Sequence, residues 1–134
     1  MKSLILIVSF FASAVAMACP SDRLCSSDRV IDSGDNVGTV KEVFSNGQAT
    51  VYLDGFGTYT RSTSALGKGV ACDRHICVDD RVIDSGENVG TVIEVFDNGK
   101  SKVYLDGFGT YIRSFSSLGI QLNCSLRENC SCRN

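Results

Sequence analysis

The chain has 134 residues, and its 13 basic and 15 acidic side chains leave a formal net charge of −2. The two signs are interspersed, and the absence of a basic stretch that could neutralise phosphates argues against a nucleic-acid partner. One Pro, no Trp and no low-complexity run indicate a compact globular protein rather than a disordered one.

The first eighteen residues have the layout of a secretory signal peptide. Lys2 supplies a positive charge, residues 4–15 form an apolar stretch too short for a typical membrane span, and residues 16–18 read Ala-Met-Ala, a small-x-small cleavage site. We therefore expect an exported protein, found in the periplasm, at the outer membrane or in the medium.

Cys19 directly follows this segment and resembles the lipidated cysteine of the bacterial lipoprotein motif. Ala16 departs from that motif, which usually has Leu at this position. A lipid on Cys19 would leave six of the seven cysteines, an even number for disulfides. Ordinary cleavage after Ala18 fits equally well, so lipidation at Cys19, the only expected membrane attachment, stays open.

The most informative feature is an internal repeat. Residues 24–67 and 76–119 align without a gap at an offset of 52, and 32 of the 44 aligned positions are identical. The chain therefore predicts two tandem units, 24–72 and 76–124, followed by a Cys-rich tail, 125–134. Duplication suits binding or structural proteins, where weak contacts add through effective concentration.

Each unit reads as short strands separated by turn signals. In the first copy the β-branched and apolar runs are 29–32, 37–44, 50–54 and 58–62. Asn46 and Gly47 predict a hairpin with a type I′ turn. Residues 64–67 fit either a short helical turn or a last strand. The sequence thus predicts an all-β protein made of two small closed or half-closed barrels.

These runs also resemble a known fold. The matching residues of the first copy are Asp28-Arg29-Val30, Val37-Gly38-Thr39-Val40, Val51, Asp54-Gly55, Tyr59 and Arg61. They are similar to SH3-like small barrels of the KOW and mind-bomb types. The resemblance covers both repeats but not the tail. It implies tandem SH3-like barrels, which in exported bacterial proteins often bind ligands or target the cell wall.

The cysteines flank the repeats at equal spacing. Cys25 and Cys72 bracket the first copy, and Cys77 and Cys124 bracket the second. Because the ends of a small barrel lie close together, we expect these pairs to close each repeat, which would stabilise it by about 4 kcal/mol. The alternative is pairing at the junctions, Cys19–Cys25, Cys72–Cys77 and Cys124–Cys130. The partners of Cys130 and Cys132 stay open.

No catalytic or metal centre is predicted. Cys72, His75 and Cys77 are close enough in sequence to bind a metal, but such thiols usually form disulfides in an oxidising compartment. His75 is the only histidine and therefore the only candidate for a histidine general base, but it lies in the linker, and its counterpart in the first copy is Arg23. Asp32 and Asp54 precede turn residues and are typical turn formers. We expect no enzyme activity and no cofactor.

The candidate ligand-binding residues are aromatic and arginine side chains repeated in both copies. They are Tyr52, Phe56, Tyr59, Arg61, Tyr104, Phe108, Tyr111 and Arg113. SH3-like barrels often use aromatics near their loops to bind a peptide or glycan. Alternation places Tyr52 outward, and Phe56 lies at a loop tip between glycines. The competing interpretation is that Tyr59 and Phe44 are core residues and that Arg61 pairs with an Asp.

The second copy is more apolar at three positions expected to face outward. Ile93, Ile112 and Phe115 replace Lys41, Thr60 and Thr63 of the first copy. They predict either a contact between the repeats or a partner site in the second copy alone.

We therefore expect a non-catalytic exported bacterial envelope protein that binds a cell-wall polymer or an envelope protein. The alternative is a structural envelope component without a specific ligand.

Overall fold

The computed structural model describes residues 23–122. The predicted signal peptide, Cys19, Cys124 and the tail lie outside the described residues. The described part is all-β with antiparallel pairing throughout. It contains no helix that is long and apolar enough to cross a membrane.

The same order of elements occurs twice. The first copy forms β1 (Arg29–Ile31), β2 (Val37–Val43), β3 (Gln48–Leu53), β4 (Gly57–Ser62), a 3-10 turn (Thr63–Ala65) and β5 (Gly67–Val70). A hairpin of β6 (Cys72–Asp73) and β7 (Ile76–Cys77) follows. The second copy forms β8 (Arg81–Ile83), β9 (Val89–Phe96), β10 (Lys100–Leu105), β11 (Gly109–Ser114), a 3-10 turn (Phe115–Ser117) and β12 (Gly119–Ile120).

The strand positions follow the hydrophobic alternation of the sequence. In β3, for example, Ala49, Val51 and Leu53 are buried while Tyr52 between them is exposed. The turn type differs from the prediction, because Gly47 has a positive φ of 86° while Asn46 does not. A type I′ turn needs positive φ at both residues, so this loop is a type I turn followed by a left-handed glycine.

One strand belongs to both halves of the sheet. The sheet has ten strands, and its main path runs β11-β10-β9-β5-β1-β2-β3-β4. The first half of β5 pairs with β1, and its second half pairs with β9, with Gly69 opposite Phe96 and Val70 opposite Val95. The last strand of the first repeat therefore joins the two repeats through backbone hydrogen bonds.

Three apolar clusters hold the described residues together. One lies within each repeat, and the third spans both, with Ile31 and Val37 packed against Phe96 and Ile112. Ile112 therefore makes the predicted repeat–repeat contact. Phe115 was expected to face outward, but it is buried in the second repeat's own cluster.

The prediction that Cys25–Cys72 and Cys77–Cys124 disulfides close the repeats is wrong. Cys72 and Cys77 are bonded to each other, because they lie directly opposite in the β6–β7 hairpin with Cα atoms 4.0 Å apart. Cys25 is also disulfide-bonded, and its partner is not Cys72. Because Cys72 and Cys77 are each other's partners, neither Cys25–Cys72 nor Cys77–Cys124 can form. Cys72 thus follows the junction pairing that the sequence left as an alternative.

Candidate functional site

A buried carboxylate organises the turn between β1 and β2. Asp32 accepts hydrogen bonds from the backbone amides of Gly34 and Asn36, both at 2.9 Å. Asp84 makes the same two bonds in the second repeat. These contacts agree with the predicted turn function of Asp32 and leave one carboxylate oxygen for a further partner.

Arginine is that partner. The Nε of Arg61 donates to Asp32 at 3.2 Å, and the Nε of Arg113 donates to Asp84 at the same distance. Burial opposes ionisation of Asp32, but these hydrogen bonds outweigh it, so the pKa of Asp32 is lowered. The competing interpretation from the sequence, that Arg61 pairs with an Asp, is confirmed.

The same arginines lie over tyrosine rings. The guanidinium carbon of Arg61 is 5.1 Å from the centre of the Tyr59 ring, and that of Arg113 is 5.0 Å from the Tyr111 ring. Tyr59 is 43% exposed, so the interpretation of Tyr59 as a core residue is wrong. Tyr59 lies on edge strand β4, which leaves one side of its ring open. Each tyrosine is an aromatic surface backed by an arginine that is paired with a buried carboxylate.

Phe56 stands at the tip of the β3–β4 turn. The flanking Gly55 and Gly57 have φ of 82° and 113°, which the turn requires and L-residues rarely adopt. Phe56 is 66% exposed, as is Phe108 in the second repeat. A large apolar ring held this far into solvent contributes little to the core and is available to a ligand.

The structure brings Phe56 and Tyr111 together across the two repeats. Both line one groove of about 220 Å³, whose polar lining includes Asn36, Asp54 and Lys102. Neither Tyr59 nor Phe108 lines this groove. Of the predicted aromatic residues, one from each repeat thus meets in a shared site.

Tyr52 and Tyr104 do not join that groove. Tyr59 lies directly opposite the buried Val51, so both point to the inner face of the sheet, whereas Tyr52 points to the outer face. On the outer face Tyr52 lies opposite Thr39 and Thr58. The eight predicted residues therefore do not form a single site in either repeat.

A charged network borders the groove and was not predicted. Arg29 donates to Asp54 at 2.7 Å and to Glu94 of the second repeat at 3.0 Å, and Lys102 lies 3.7 Å from Glu94. These bonds raise the pKa of Arg29 above its usual range and lower that of Asp54. The sequence signal was the 25-residue Arg–Asp spacing, which recurs as Arg81 and Asp106.

No cluster of metal ligands was found in the described part of the chain. Between residues 23 and 122 no three His, Cys, Asp or Glu side chains cluster as metal ligands would. His75 is exposed in the β6–β7 hairpin.

Comparison with protein-family models gives no match, and comparison with curated proteins gives no significant relative.

Proposed function

We propose that this chain is an exported, non-catalytic binding protein of the bacterial envelope, built from two SH3-like barrels. The groove between the repeats is its ligand site, and the ligand is a cell-wall glycan. One observation supports this most directly: Phe56 and Tyr111 come from different repeats and line the same groove.

The lining of the groove suits a sugar unit. Aromatic rings pack against the apolar C–H faces of a pyranose ring. Asn36 and Asp54 offer acceptors and a donor for hydroxyl groups, and Lys102 adds a cationic donor. A groove of about 220 Å³ is the size of a single sugar unit rather than of a folded partner. An exposed groove of this kind binds along a polymer without enclosing it.

The repeat provides matched controls for the test. Phe56→Ala and Tyr111→Ala should each lower retention on protein-free cell-wall material by about tenfold, the effect of losing one stacking contact. Phe108→Ala and Tyr59→Ala remove the same side chains outside the groove and should retain binding within about twofold. Equal losses in all four variants would contradict the groove as the site.

The same assay separates the ligand classes. Binding that is lost when the glycan is digested, and kept after the material is treated with protease, supports a glycan ligand. Binding that survives glycan digestion on envelope protein would assign the groove to a protein ligand instead.

A structural envelope component, with or without a lipid on Cys19, remains the second candidate. It is favoured by the sheet that continues through β5 from one repeat into the next. A protein that binds neither cell-wall material nor envelope protein, yet is required for envelope integrity, would support it.

A further inference from the structure

Two surfaces form the contact between the repeats, and we call them the donor face and the acceptor face. Each repeat has a copy of both, but the contact uses only one copy of each. The donor face of the first repeat, with Ile31 and Val37, packs against the acceptor face of the second repeat, with Val95 and Phe96. Because the repeats are copies, the second repeat has a donor face of its own and the first repeat has an acceptor face of its own. Neither of these is used within residues 23–122.

The unused donor face is apolar and open. Ile31 and Val37 are 0% and 8% exposed, whereas the equivalent Ile83 and Val89 are 43% and 42% exposed. Ile83 and Val89, together with Ile120, line a groove of about 270 Å³. The side chains equivalent to the centre of the internal contact thus remain partly exposed in the second repeat.

The unused acceptor face is open in the same way. Phe96 is fully buried, but the equivalent Phe44 is 46% exposed, and Val43 beside it is 41% exposed. In β9 this part of the strand pairs with β5, whereas among the described residues β2 pairs only with β1 and β3. An apolar strand edge of this kind is a ready site for another strand.

The charges at the two open faces are complementary. In the internal contact Arg29 of the donor side pairs with Glu94 of the acceptor side at 3.0 Å. The equivalent residues are Arg81 and Glu42. Arg81 keeps its bond to Asp106, and no ion pair to Glu42 is found within residues 23–122. A donor face docked on an acceptor face would place Arg81 against Glu42.

The strand that would complete the acceptor edge is also identifiable. Gly69 and Val70, which pair with β9, correspond to Gln121 and Leu122 at the end of the second repeat, and Leu122 is 72% exposed. Before the first repeat they correspond to residues 17 and 18, inside the predicted signal peptide. Cleavage after Ala18 would remove these two equivalent residues from the mature chain.

We propose that mature chains associate head to tail, the donor face of one chain's second repeat docking on the acceptor face of the next chain's first repeat. Gln121 and Leu122 then pair with Val43 and Phe44, so the sheet continues from chain to chain. The contact is heterologous, and such contacts produce rings or open filaments rather than closed two-fold dimers.

This contact between chains is weaker than the internal one. Lys100, which forms an ion pair with Asp35 across the internal contact, is replaced by Gln48, and Ile112 of the shared cluster is replaced by Thr60. The loss of one ion pair and one apolar side chain indicates reversible association that depends on concentration.

Sedimentation velocity of the mature chain tests the proposal over a series from about 1 µM to about 1 mM. The average mass should rise with concentration. Phe44→Asp and Ile83→Asp should each abolish the rise when alone, while an equimolar mixture of the two should reach the dimer and stop. Ile93→Asp, which changes an equally exposed isoleucine outside both faces, should associate like the wild type.

Circular dichroism checks that each variant is folded, and Phe44→Ala and Ile83→Thr replace any variant that is not. A wild-type chain that stays monomeric throughout, its faces being covered by its own terminal residues, overturns the proposal. So does association that survives Ile83→Asp, because such association would not use the donor face.

A gain-of-function variant makes the test stricter. Gln48→Lys with Thr60→Ile gives the open acceptor face the residues that the second repeat has at these positions. This double variant should associate about tenfold more tightly than the wild type. If the double variant associates no more tightly than the wild type, the contact between chains does not repeat the contact between the repeats.

Discussion

Phe96→Ala tests the contact between the repeats, and the chain supplies its own control. Phe96 and Phe44 occupy the same position in the two repeats, yet Phe96 is buried in the shared cluster and Phe44 is half exposed. The same substitution therefore removes the same atoms from two environments. The difference between the two variants measures the packing of Phe96 between the repeats.

The expected magnitudes follow from burial. Truncation of a buried Phe to Ala costs about 3–5 kcal/mol, and we expect about 3 kcal/mol, since a cluster at a junction can partly collapse into the space. Phe44 has only about half of its ring out of water, so its loss should cost about 1 kcal/mol. For a chain of this length each kcal/mol shifts the Tm by about 3 °C. Phe96→Ala should thus lower the Tm by about 10 °C, and Phe44→Ala by about 3 °C.

The Tm and the free energy of unfolding of both variants are measured by thermal and urea unfolding, with circular dichroism as the signal. A low protein concentration keeps association between chains from contributing. The wild type should unfold in one transition, because β5 and the shared cluster couple the repeats. Equal losses in the two variants would refute the burial of Phe96 between the repeats. A larger loss in Phe44→Ala would show that the first acceptor face is the covered one.

Three further outcomes are expected. Asp32→Ala should lower the free energy of unfolding in urea by about 2 kcal/mol, because two turn amides lose their buried acceptor; a loss below about 0.5 kcal/mol would contradict this. Replacing Cys72 and Cys77 by Ser should cost about 2 kcal/mol, the loop entropy of a short disulfide, and a loss near 4 kcal/mol would contradict junction pairing. Hydrogen bonds from Arg29 lower the pKa of Asp54 below its ordinary value of 3.8. The contribution of this ion pair to the free energy of unfolding is therefore complete above pH 3.8 and is lost as the pH falls through the folded-state pKa. The Tm should therefore fall below about pH 4 and less steeply in Asp54→Asn, and identical slopes would contradict the assignment.

Local features of the fold could be predicted because they depend on local patterning. The alternation in β3 placed Val51 and Leu53 inside and Tyr52 outside, since a strand has a two-residue period. Asp32 was predicted as a turn residue because an Asp side chain accepts hydrogen bonds from the backbone amides that follow it. Both depend on neighbours within a few positions in the chain.

The candidate site was predicted in its residues but not in its arrangement. Phe56 and Tyr111 were both chosen from the sequence, yet the same reasoning also chose Tyr59 and Phe108. Identical residues at equivalent positions of two similar repeats are hard to rank by sequence, because most of their sequence neighbours are the same. Only the packing of the first repeat against the second places Phe56 and Tyr111 in one groove.

The sequence by itself determined the all-β class, the duplication and the residue types available to a ligand, since composition and periodicity decide which strands form. The tertiary structure decided how the copies differ. It made β5 a shared strand, paired Cys72 with Cys77, and buried Phe96 while leaving Phe44 in solvent. The physical reason is that two similar units in a head-to-tail contact must each present a different face, so the same residue in the two copies comes to have different surroundings.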